Sequence, residues 1–534
     1  PMKKTTRSVA VALALSVSLA LGACGTNANN ASSSSGGTQS GASGSGKDTL
    51  VAAYSEGGTT LSPMEASDVT SDTFVLAAYD QLITYDRLEK DGKWVSDTST
   101  LKPMLAERWE ANADASSYTF HLRKDVKFQN GDDLTSDDVV KTFAMIKASS
   151  NASFLYDMAG ISDVRATNDH TVQIDLTGPN HLFEQIIAMY SFSIVNVDQV
   201  QANGGASWLD TNTAGSGPYT VDSWEPASEA VLTRNDSYWG EAPALRQVNL
   251  KFISEASNRV QLLQNGELDL ATEIPPKNVE GLEGAEGVVV DSRRSNKILY
   301  FAMNNAIAPF DNVKVRQAVA YAIPYDKLIN DVMLGQASPM TSSVASNTPG
   351  HNDAGAITAQ DLDKAKQLLT DAGYADGFTF DFTLGSGFDD WKDDAVLIQS
   401  ALAQIGVTMN ITEMARSEFL DALATKQVQS YISRWTSFVN DPGYHLGQLL
   451  TTDGSSNYAN YSNATVDSLW EQAATETDEN ARNDLYGKAQ EIINSESPWA
   501  YLYEYNIVLG RGDGVQGYTS YPDGIVRFFQ MSND

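Results

Sequence analysis

Hydrophobic residues recur along the chain at two spacings, one typical of strands and the other of helices. A spacing of two, with polar residues between, predicts strands at 118–122, 171–176 and 248–252. A spacing of three to four between Val139, Phe143 and Ile146 predicts a helix that buries this face. Thr135 can cap that helix, because its hydroxyl can accept a hydrogen bond from an unpaired amide of the first turn.

Further along, the same spacings complete a mixed α/β pattern. Phenylalanines alternate over 378–382, a helical spacing follows and stops at Gly406, and a second strand is predicted at 407–411. This order predicts a βαβ unit. One more helix is predicted to stop at Gly373, and a helix pair is predicted between 463 and 494. Since no repeat of roughly 20 to 50 residues is present, solenoids and propellers are not expected.

Length and charge narrow the classes of protein to consider. The 534 residues suffice for two to four domains of roughly 100 to 200 residues each. The chain carries 36 Lys and Arg against 68 Asp and Glu, a formal charge of −32. Because nucleic acids bind through Lys and Arg that displace counterions, we expect no nucleic-acid partner. The single Cys excludes an internal disulfide.

The first residues have the composition of an export signal. Three cations precede an apolar run over 9–21, which is too short to span a bilayer but suits a secretory signal. The run ends in Leu-Gly-Ala before Cys24, and this ending resembles the lipobox of bacterial lipoproteins. The resemblance implies that residues 1–23 are removed as a signal peptide. Lipid on Cys24 would then anchor the protein to the membrane.

Residues 24–47 are predicted to form a flexible tether. They consist almost wholly of Ser, Gly, Asn, Thr, Ala and Gln, which cannot bury enough apolar surface to offset chain entropy. Removal of residues 1–23 takes three cations away, so the mature charge would be 33 − 68 = −35. We therefore expect an acidic protein held by lipid on the extracellular face of a bacterial cell membrane.

Candidate catalytic chemistry is sparse. The five histidines have no metal-binding spacing: His121, His170, His181, His351 and His445. No nucleophile motif is present either, so we expect no catalytic residue, no metal and no cofactor. The densest carboxylates, within 132–138, fit a solvated turn and a helix N-terminus better than a calcium site. A secreted hydrolase is kept as an alternative because of the export signal.

A longer motif carries a family resemblance. Residues 118–128 read YTFHLRKDVKF, and Asn130-Gly131 and LTSDDVV at 134–140 follow. This order resembles the signature of family 5 extracellular solute-binding proteins, the oligopeptide, dipeptide and nickel type that supplies ABC importers. Further blocks that resemble the family stand at 215–219, 234–240, 309–323, 498–499 and 514–518. The resemblance covers essentially all of 50–529.

The resemblance implies a fold and a division into domains. The fold would be α/β and two-lobed, of the type II periplasmic-binding-protein kind that closes about a hinge, with an extra subdomain on the first lobe. Lobe I would comprise 48–80, 212–302 and 502–534, the extra subdomain 81–211, and lobe II 303–501. Ligand would bind between the lobes, and closure would present a new surface to the transmembrane subunits of an ABC permease. We expect a monomer that makes and breaks no bond.

The resemblance also implies ligand-binding residues. Peptide-binding members line the cleft with a Trp-x-x-Asp-x-x-Asp/Glu-Pro segment, whose first Asp holds the ammonium of the ligand. Here Trp435, Asp441 and Pro442 match, but Phe438 stands at the amine-binding position. Thr436, within the same segment, is a further candidate. A phenyl ring cannot neutralise an ammonium, and burial of an unpaired charge costs several kcal/mol.

Three alternatives follow for the ligand. Another carboxylate, Glu56 or Glu504, holds the amine; the peptide binds in another register; or the ligand has no free amine. An oligosaccharide suits the third alternative, because apolar sugar faces would stack on Trp435 and Phe438. The family resemblance favours peptides, and an oligosaccharide or another amine-free solute is the alternative.

Four more side chains complete the candidate set. Arg434 is a candidate to pair with a carboxylate of the ligand. Glu56 follows the first strand and is either a cleft residue or an exposed loop acid. Tyr503 and Tyr505 share one side of a strand and either line the cleft or pack in the core.

Overall fold

Strands and helices alternate along most of the chain, as the hydrophobic spacing predicts. The computed structural model describes residues 47–534, and the side chains of all of these except 98 and 99. The predicted signal peptide, most of the tether and Cys24 lie outside the described residues.

The strands in chain order are β1 (Thr49–Tyr54), β2 (Ile83–Lys90), β3 (Lys93–Pro103), β4 (Ala106–Ala111), β5 (Ser117–Leu122), β6 (Ile161–Asn168), β7 (Thr171–Leu176), β8 (Tyr219–Glu225), β9 (Glu229–Arg234), β10 (Gln247–Phe252), β11 (Leu270–Ala271), β12 (Val288–Met303), β13 (Ala337–Ser338), β14 (Phe378–Gly385), β15 (Val407–Met414), β16 (Ser430–Thr436), β17 (Trp499–Gly512), β18 (Val515–Gln516), β19 (Thr519–Ser520) and β20 (Ser532–Asn533).

The α-helices in chain order are α1 (Val69–Ala78), α2 (Ser136–Ala148), α3 (Ser153–Met158), α4 (Phe183–Ile187), α5 (Val197–Ala202), α6 (Ala256–Gln264), α7 (Pro276–Glu283), α8 (Val313–Ala322), α9 (Tyr325–Lys327), α10 (Leu362–Asp371), α11 (Asp389–Ala403), α12 (Arg416–Ala424), α13 (Pro442–Leu449), α14 (Ala464–Thr475) and α15 (Glu479–Glu496). No helix among residues 47–534 is both long enough and apolar enough to cross a membrane.

Several strands and helices lie where hydrophobic alternation and capping residues predict them. β5, β7 and β10 fall on the three stretches predicted from alternation. In α2 the Asp138 carboxylate accepts a hydrogen bond from the backbone amide of Thr135 at 2.8 Å, and this contact fixes the start of the helix. Val139, Phe143 and Ile146 are buried on its inner face, as their spacing predicts.

The predicted βαβ unit is confirmed. β14 and β15 pair in parallel, and α11 connects them. The helix ends at Ala403, and Gly406 adopts a left-handed backbone (φ 80°) that lets the chain turn into β15. The predicted helix pair is also present, as α14 and α15.

One large sheet contains strands from early and late parts of the chain, from β1 to β17. Its strands run in the order β15-β14-β16-β12-β17-β11-β1-β10-β9-β8, with β13 attached to β17. β12 has 16 residues and β17 has 14, and the two pair antiparallel along most of their length. These long strands connect the half of the sheet that contains β14 to the half that contains β1. A four-stranded sheet, β4-β5-β7-β6, lies in the part of the chain before β8.

Hydrophobic side chains form separate clusters along the chain. One cluster is drawn from residues 298–503, and a second is drawn mainly from 64–214. Two smaller clusters contain residues from β1, β10 and β17. The core is therefore divided rather than continuous, while the lobe boundaries themselves stay a prediction.

Candidate ligand-binding site

Most candidate residues lie on β16 or just after it. β16 pairs antiparallel with β12, and its first residues pair in parallel with β14. The strand ends at Thr436, and α13 begins six residues later at Pro442. Asp441 caps this helix, because its Oδ1 accepts a hydrogen bond from the backbone amide of Gly443 at 2.7 Å. Proline at the first helical position costs no hydrogen bond, since a backbone N–H at that position would have no partner within the helix.

The two faces of β16 carry different candidates. Alternate residues of a strand point to opposite faces, so Arg434 and Thr436 share one face. On this face Thr436 lies opposite Lys297 of β12 in the strand register. Trp435 points to the other face, opposite Ile298. The strand thus separates Arg434 from Trp435, although they are neighbours in the sequence.

Trp435 is half-buried and fixed by neutral partners. Its Nε1 donates a hydrogen bond to Ser437 Oγ at 3.1 Å, and its ring centroid lies 6.5 Å from that of Tyr444. Ser437 Oγ also hydrogen-bonds Nδ1 of His445 at 3.0 Å. Burial lowers the pKa of His445 to about 4, so this histidine is neutral at pH 7.

Phe438 borders a small cavity. Its ring meets that of Tyr190 edge-on, with the centroids 6.3 Å apart. The cavity has a volume of about 10 Å³, room for one water molecule. It is lined by Phe438, Tyr85, Ala188, Met189, Tyr190, Asp523 and Arg527. Arg527 donates hydrogen bonds to both carboxylate oxygens of Asp523, at 2.5 and 2.6 Å, so the acid on the cavity wall is already paired.

Two acids, Asp441 and Glu504, already have hydrogen-bond partners within the protein. Asp441, besides capping α13, hydrogen-bonds Nε2 of His181 at 3.1 Å. Glu504 is 0% exposed and accepts hydrogen bonds from the amide and the hydroxyl of Ser346, at 2.7 and 2.6 Å. Burial raises the pKa of Glu504, and the Ser346 hydrogen bonds oppose that rise. Both oxygens of Glu504 are therefore occupied, and of the two acids considered for an amine only Glu56 is exposed.

The two tyrosines on one side of β17 occupy different environments. Tyr503 is buried, and its hydroxyl donates to Asp394 Oδ2 at 2.7 Å. Tyr505 is half-buried; its hydroxyl donates to Asp390 Oδ2 at 2.6 Å and accepts from Trp391 Nε1 at 3.1 Å. Tyr503 thus packs in the core, whereas Tyr505 keeps part of its ring exposed.

Three cations gather beside the Tyr505 ring and the ring of Phe388, and we call Lys297, Arg416 and Arg434 the cationic cluster. Lys297 Nζ lies 5.1 Å from the Tyr505 ring centroid. The guanidinium carbons of Arg434 and Arg416 lie 4.5 and 5.0 Å from the Phe388 centroid. These distances permit cation–π attraction. The face of β16 that carries Arg434 is thus cationic and aromatic.

The members of the cluster affect one another's protonation. Burial, and next the charge of Arg434, lower the pKa of Lys297 to about 8, although Glu273 and Asp390 act in the opposite direction. Burial and Arg434 likewise lower the pKa of Arg416. An opposite charge entering the cluster would therefore be stabilised by several cations at once.

Sequence reasoning found Arg434 and missed Lys297 and Arg416. Lys297 reaches the cluster through the pairing of β12 with β16, and Arg416 through the position of α12. Glu56, the candidate that follows β1, acts electrostatically on Arg416. The structure therefore brings Arg434, Tyr505 and Glu56 towards one region and places Phe438 beside another. Among residues 47–534, no group of three or more His, Cys, Asp or Glu is arranged to hold a metal ion.

Solved structures resemble this chain over most of its length. The periplasmic binding protein DppA of Helicobacter pylori, in complex with the peptide STSA, has a TM-score of 0.78 at 27% identity, covering 91% of this chain and 98% of that one. HbpA2 of Haemophilus parasuis has a TM-score of 0.81 at 25% identity, covering 91% and 100%. The fold is that of type II periplasmic binding proteins, as predicted, so the class is a solute-binding protein.

Sequence matches define the family. The model for bacterial extracellular solute-binding proteins, family 5 (middle part), matches residues 100–457, and the chain belongs to this family of solute-binding proteins. The probable D,D-dipeptide-binding periplasmic protein DdpA of Escherichia coli (strain K12) is 26% identical over 485 residues, which are 89% of this chain and 92% of the relative. The glutathione-binding protein GsiB of Shigella flexneri is 29% identical over 492 residues, 89% and 93%. Such proteins bind substrates for transporters and are not enzymes.

Proposed function

We propose that this chain captures a solute outside the cell and delivers it to the permease of an ABC importer. Family membership supports the role. The proposed place of binding rests on one observation. Cations and aromatic rings lie together beside β12 and β17, the strands that connect the two halves of the sheet. Each half would form the core of one lobe, and the two long strands would serve as the hinge.

The sequence supports export and anchoring. The apolar run before Cys24 would direct secretion, and lipid on Cys24 would hold the monomer at the extracellular face of the membrane. The tether over 24–47 would let it reach the transmembrane subunits.

Two ligand classes are candidates. Peptides are the first, because the DppA structure contains a bound peptide and DdpA is named as a probable D,D-dipeptide-binding protein. An amine-free solute is the second, and the surroundings of Phe438 favour it. Asp523 is paired with Arg527, and Asp441 and Glu504 are engaged by neighbouring residues, so none of these three acids is free to hold a ligand ammonium beside Phe438.

Binding panels test the proposed role. The full chain would be prepared with Cys24→Ser, which prevents acylation, and its melting temperature measured with free peptides, N-acetylated peptides and oligosaccharides. A ligand at 100 times its Kd should add about 2.7 kcal/mol to the free energy of unfolding. Stabilisation by one class supports solute capture. Failure of every panel member to stabilise the protein would count against it, and turnover of any member would favour a secreted hydrolase instead.

A further inference from the structure

His181 connects two parts of the chain that are far apart in the sequence. It precedes α4, and the two residues after it belong to the hydrophobic cluster drawn mainly from 64–214. Its ring contacts the other part of the chain: Nε2 lies 3.1 Å from Asp441 Oδ1, and Nδ1 lies 3.3 Å from the carbonyl oxygen of Ala474 on α14. The side chains of His181 and Asp441 are only 6% and 9% exposed, so little water reaches this contact.

Both ring nitrogens of His181 face oxygen atoms that accept hydrogen bonds. Asp441 presents a carboxylate to one nitrogen, and Ala474 presents a backbone carbonyl to the other. A neutral imidazole has one N–H and can donate to one of these oxygens, which leaves the lone pair of its second nitrogen against the other oxygen. An imidazolium has two N–H groups and donates to both. The contact is therefore complete only when the ring carries its second proton.

Tyr486, on α15, gives the neutral ring a different partner. Its hydroxyl lies 3.3 Å from the same Nε2, and burial raises the pKa of Tyr486, so the hydroxyl keeps its proton. It can donate to a neutral His181, but the bond from the ring to Asp441 is then lost. One proton thus decides whether His181 is bonded to Asp441 or to Tyr486.

The contact lies beside the segment that carries several candidate binding residues. Asp441 caps α13 through the amide of Gly443, and it follows Phe438 by three residues. His181 belongs to the predicted extra subdomain, whereas Asp441 and Ala474 belong to the predicted lobe II. Opening about the hinge would separate these lobes and break the contact.

We propose that His181, Asp441 and Ala474 form a proton-dependent clasp, which bridges the extra subdomain and lobe II when the ring is protonated and favours the closed arrangement that holds a solute. This inference rests on the proposed function and names a way in which the same site is regulated. Histidines change charge between about pH 5 and pH 8, so the clasp forms more readily as the pH falls and is lost as it rises. Acid surroundings should therefore favour closure.

Other charged groups lie on the elements that pack around the ring. Glu184, on α4, accepts a hydrogen bond from the indole N–H of a tryptophan. Arg482, on α15, acts electrostatically on Tyr486. Neither group contacts the ring in the hydrogen bonds and ion pairs of residues 47–534, so the proton is taken up by the pair of His181 and Asp441.

A distance measurement tests the clasp without a known solute. Once Cys24→Ser removes the single cysteine, Asp169→Cys and Lys366→Cys can be labelled with a fluorophore pair, because both positions are exposed. They lie in the predicted extra subdomain and lobe II, so single-molecule energy transfer distinguishes closed from open molecules. We expect the ratio of closed to open molecules to be at least roughly fivefold higher at pH 5.5 than at pH 8, since a charge-assisted hydrogen bond is gained.

Variants assign the effect to the ring. His181→Gln cannot gain a proton and should remove the dependence on pH. Tyr486→Phe deletes the partner of the neutral ring, so it should lower the closed fraction at pH 8 and make the dependence steeper. His121→Gln is the matched control, because His121 Nε2 also lies near a carboxylate, 2.8 Å from Glu110 Oε1, but on a more exposed surface. It should behave as the parent protein.

A separate arm distinguishes the clasp from the proposed function. Tri-alanine, its N-acetylated form and maltotriose would be added at pH 7. A ratio of closed to open molecules that does not change with pH, or that changes equally in His181→Gln, would overturn the clasp and leave the proposed function standing. A ratio that neither pH nor any of these probes changes would count against the proposed function as well.

Discussion

Arg527 lines the cavity beside Phe438, and the cationic cluster includes Arg434, four residues earlier in the chain, yet the surroundings of the two are opposite. The Arg527 side chain is 8% exposed, stacks over Tyr521 at 3.8 Å and donates to both oxygens of Asp523. Lys297 is enclosed by a tyrosine ring and by Arg434, with no acid in contact among the described residues. The charge of Arg527 is therefore compensated by the protein itself, whereas the charge of Lys297 is not.

This difference separates a structural cation from a binding cation. A buried ion pair is stable only while both members remain, so removing one leaves an uncompensated charge. An unpaired cation already carries that cost in the free protein and recovers it when an anion binds. Substitutions in the two regions should therefore change stability in opposite directions.

The largest expected effect is on the paired side. Arg527→Gln should lower the free energy of unfolding by about 3–5 kcal/mol, because Asp523, whose side chain is only 14% exposed, would remain beside Phe438 without its cationic partner. Urea denaturation measures the loss. Arg165→Gln is the control: Arg165 pairs with Asp163 and Asp175 at the surface, so its replacement should cost much less. Equal losses would show that enclosure of the pair does not matter.

Phe438 gives a test of the amine position. Phe438→Asp should increase affinity for peptides with a free amine by roughly 10- to 100-fold if Phe438 occupies the amine-binding position, since a carboxylate gains a charge-assisted hydrogen bond. Phe438→Asn has nearly the same shape without the charge and should produce a smaller gain. Calorimetry with a free and an N-acetylated peptide separates the two. No gain in either variant would place the amine elsewhere.

The pKa of Lys297 sets a pH dependence on the unpaired side. In the free protein this pKa is about 8, and a bound carboxylate would raise it, so protonation and binding favour each other. Raising the pH from 7 to 9 should weaken binding of an acid ligand by up to roughly tenfold. Arg434, Glu273, Asp390 and Tyr505 are the charged and titratable groups that face Lys297, and burial raises the pKa of Tyr505, so its hydroxyl stays neutral. In Lys297→Met the slope should disappear; a slope that persists would assign the dependence to another group.

The smallest expected effect is a gain in stability. Lys297→Met should raise the free energy of unfolding of the ligand-free protein by about 1 kcal/mol at pH 7, because it removes an enclosed cation without a counterion. The folded-state pKa lies below the usual 10.5, so the cost of Lys297 is full below pH 8 and fades as the pH rises towards 10.5. Urea denaturation of both proteins at pH 7 and pH 10 should show the advantage shrink. Destabilisation at pH 7 would make Lys297 a structural residue like Arg527.

Local sequence signals were enough for many elements. Thr135 and Asp138 define the start of α2, and Gly406 ends the connection into β15, because capping and left-handed turns depend on a few adjacent residues. The family motif extended this to the whole fold. Such signals do not require knowledge of which strands pair.

The site required strand pairing and could be predicted only in part. Lys297 joins Arg434 across the pairing of two strands that are more than a hundred residues apart in the sequence. Tyr503 and Tyr505 share one side of β17, but alternation could not show that Asp394 draws Tyr503 into the core. The sequence could not show that Glu504 is unavailable to a ligand amine, because its hydrogen bonds to Ser346 depend on the tertiary structure.

A crystal structure of the protein with its tightest-binding acid would test the central claim most directly. The account predicts a ligand carboxylate oxygen within about 2.7–3.2 Å of Lys297 Nζ or of the Arg434 guanidinium, with apolar ligand atoms against Phe388 or Tyr505. A carboxylate that points to solvent, with the ligand held instead through an ammonium near Phe438, would contradict it.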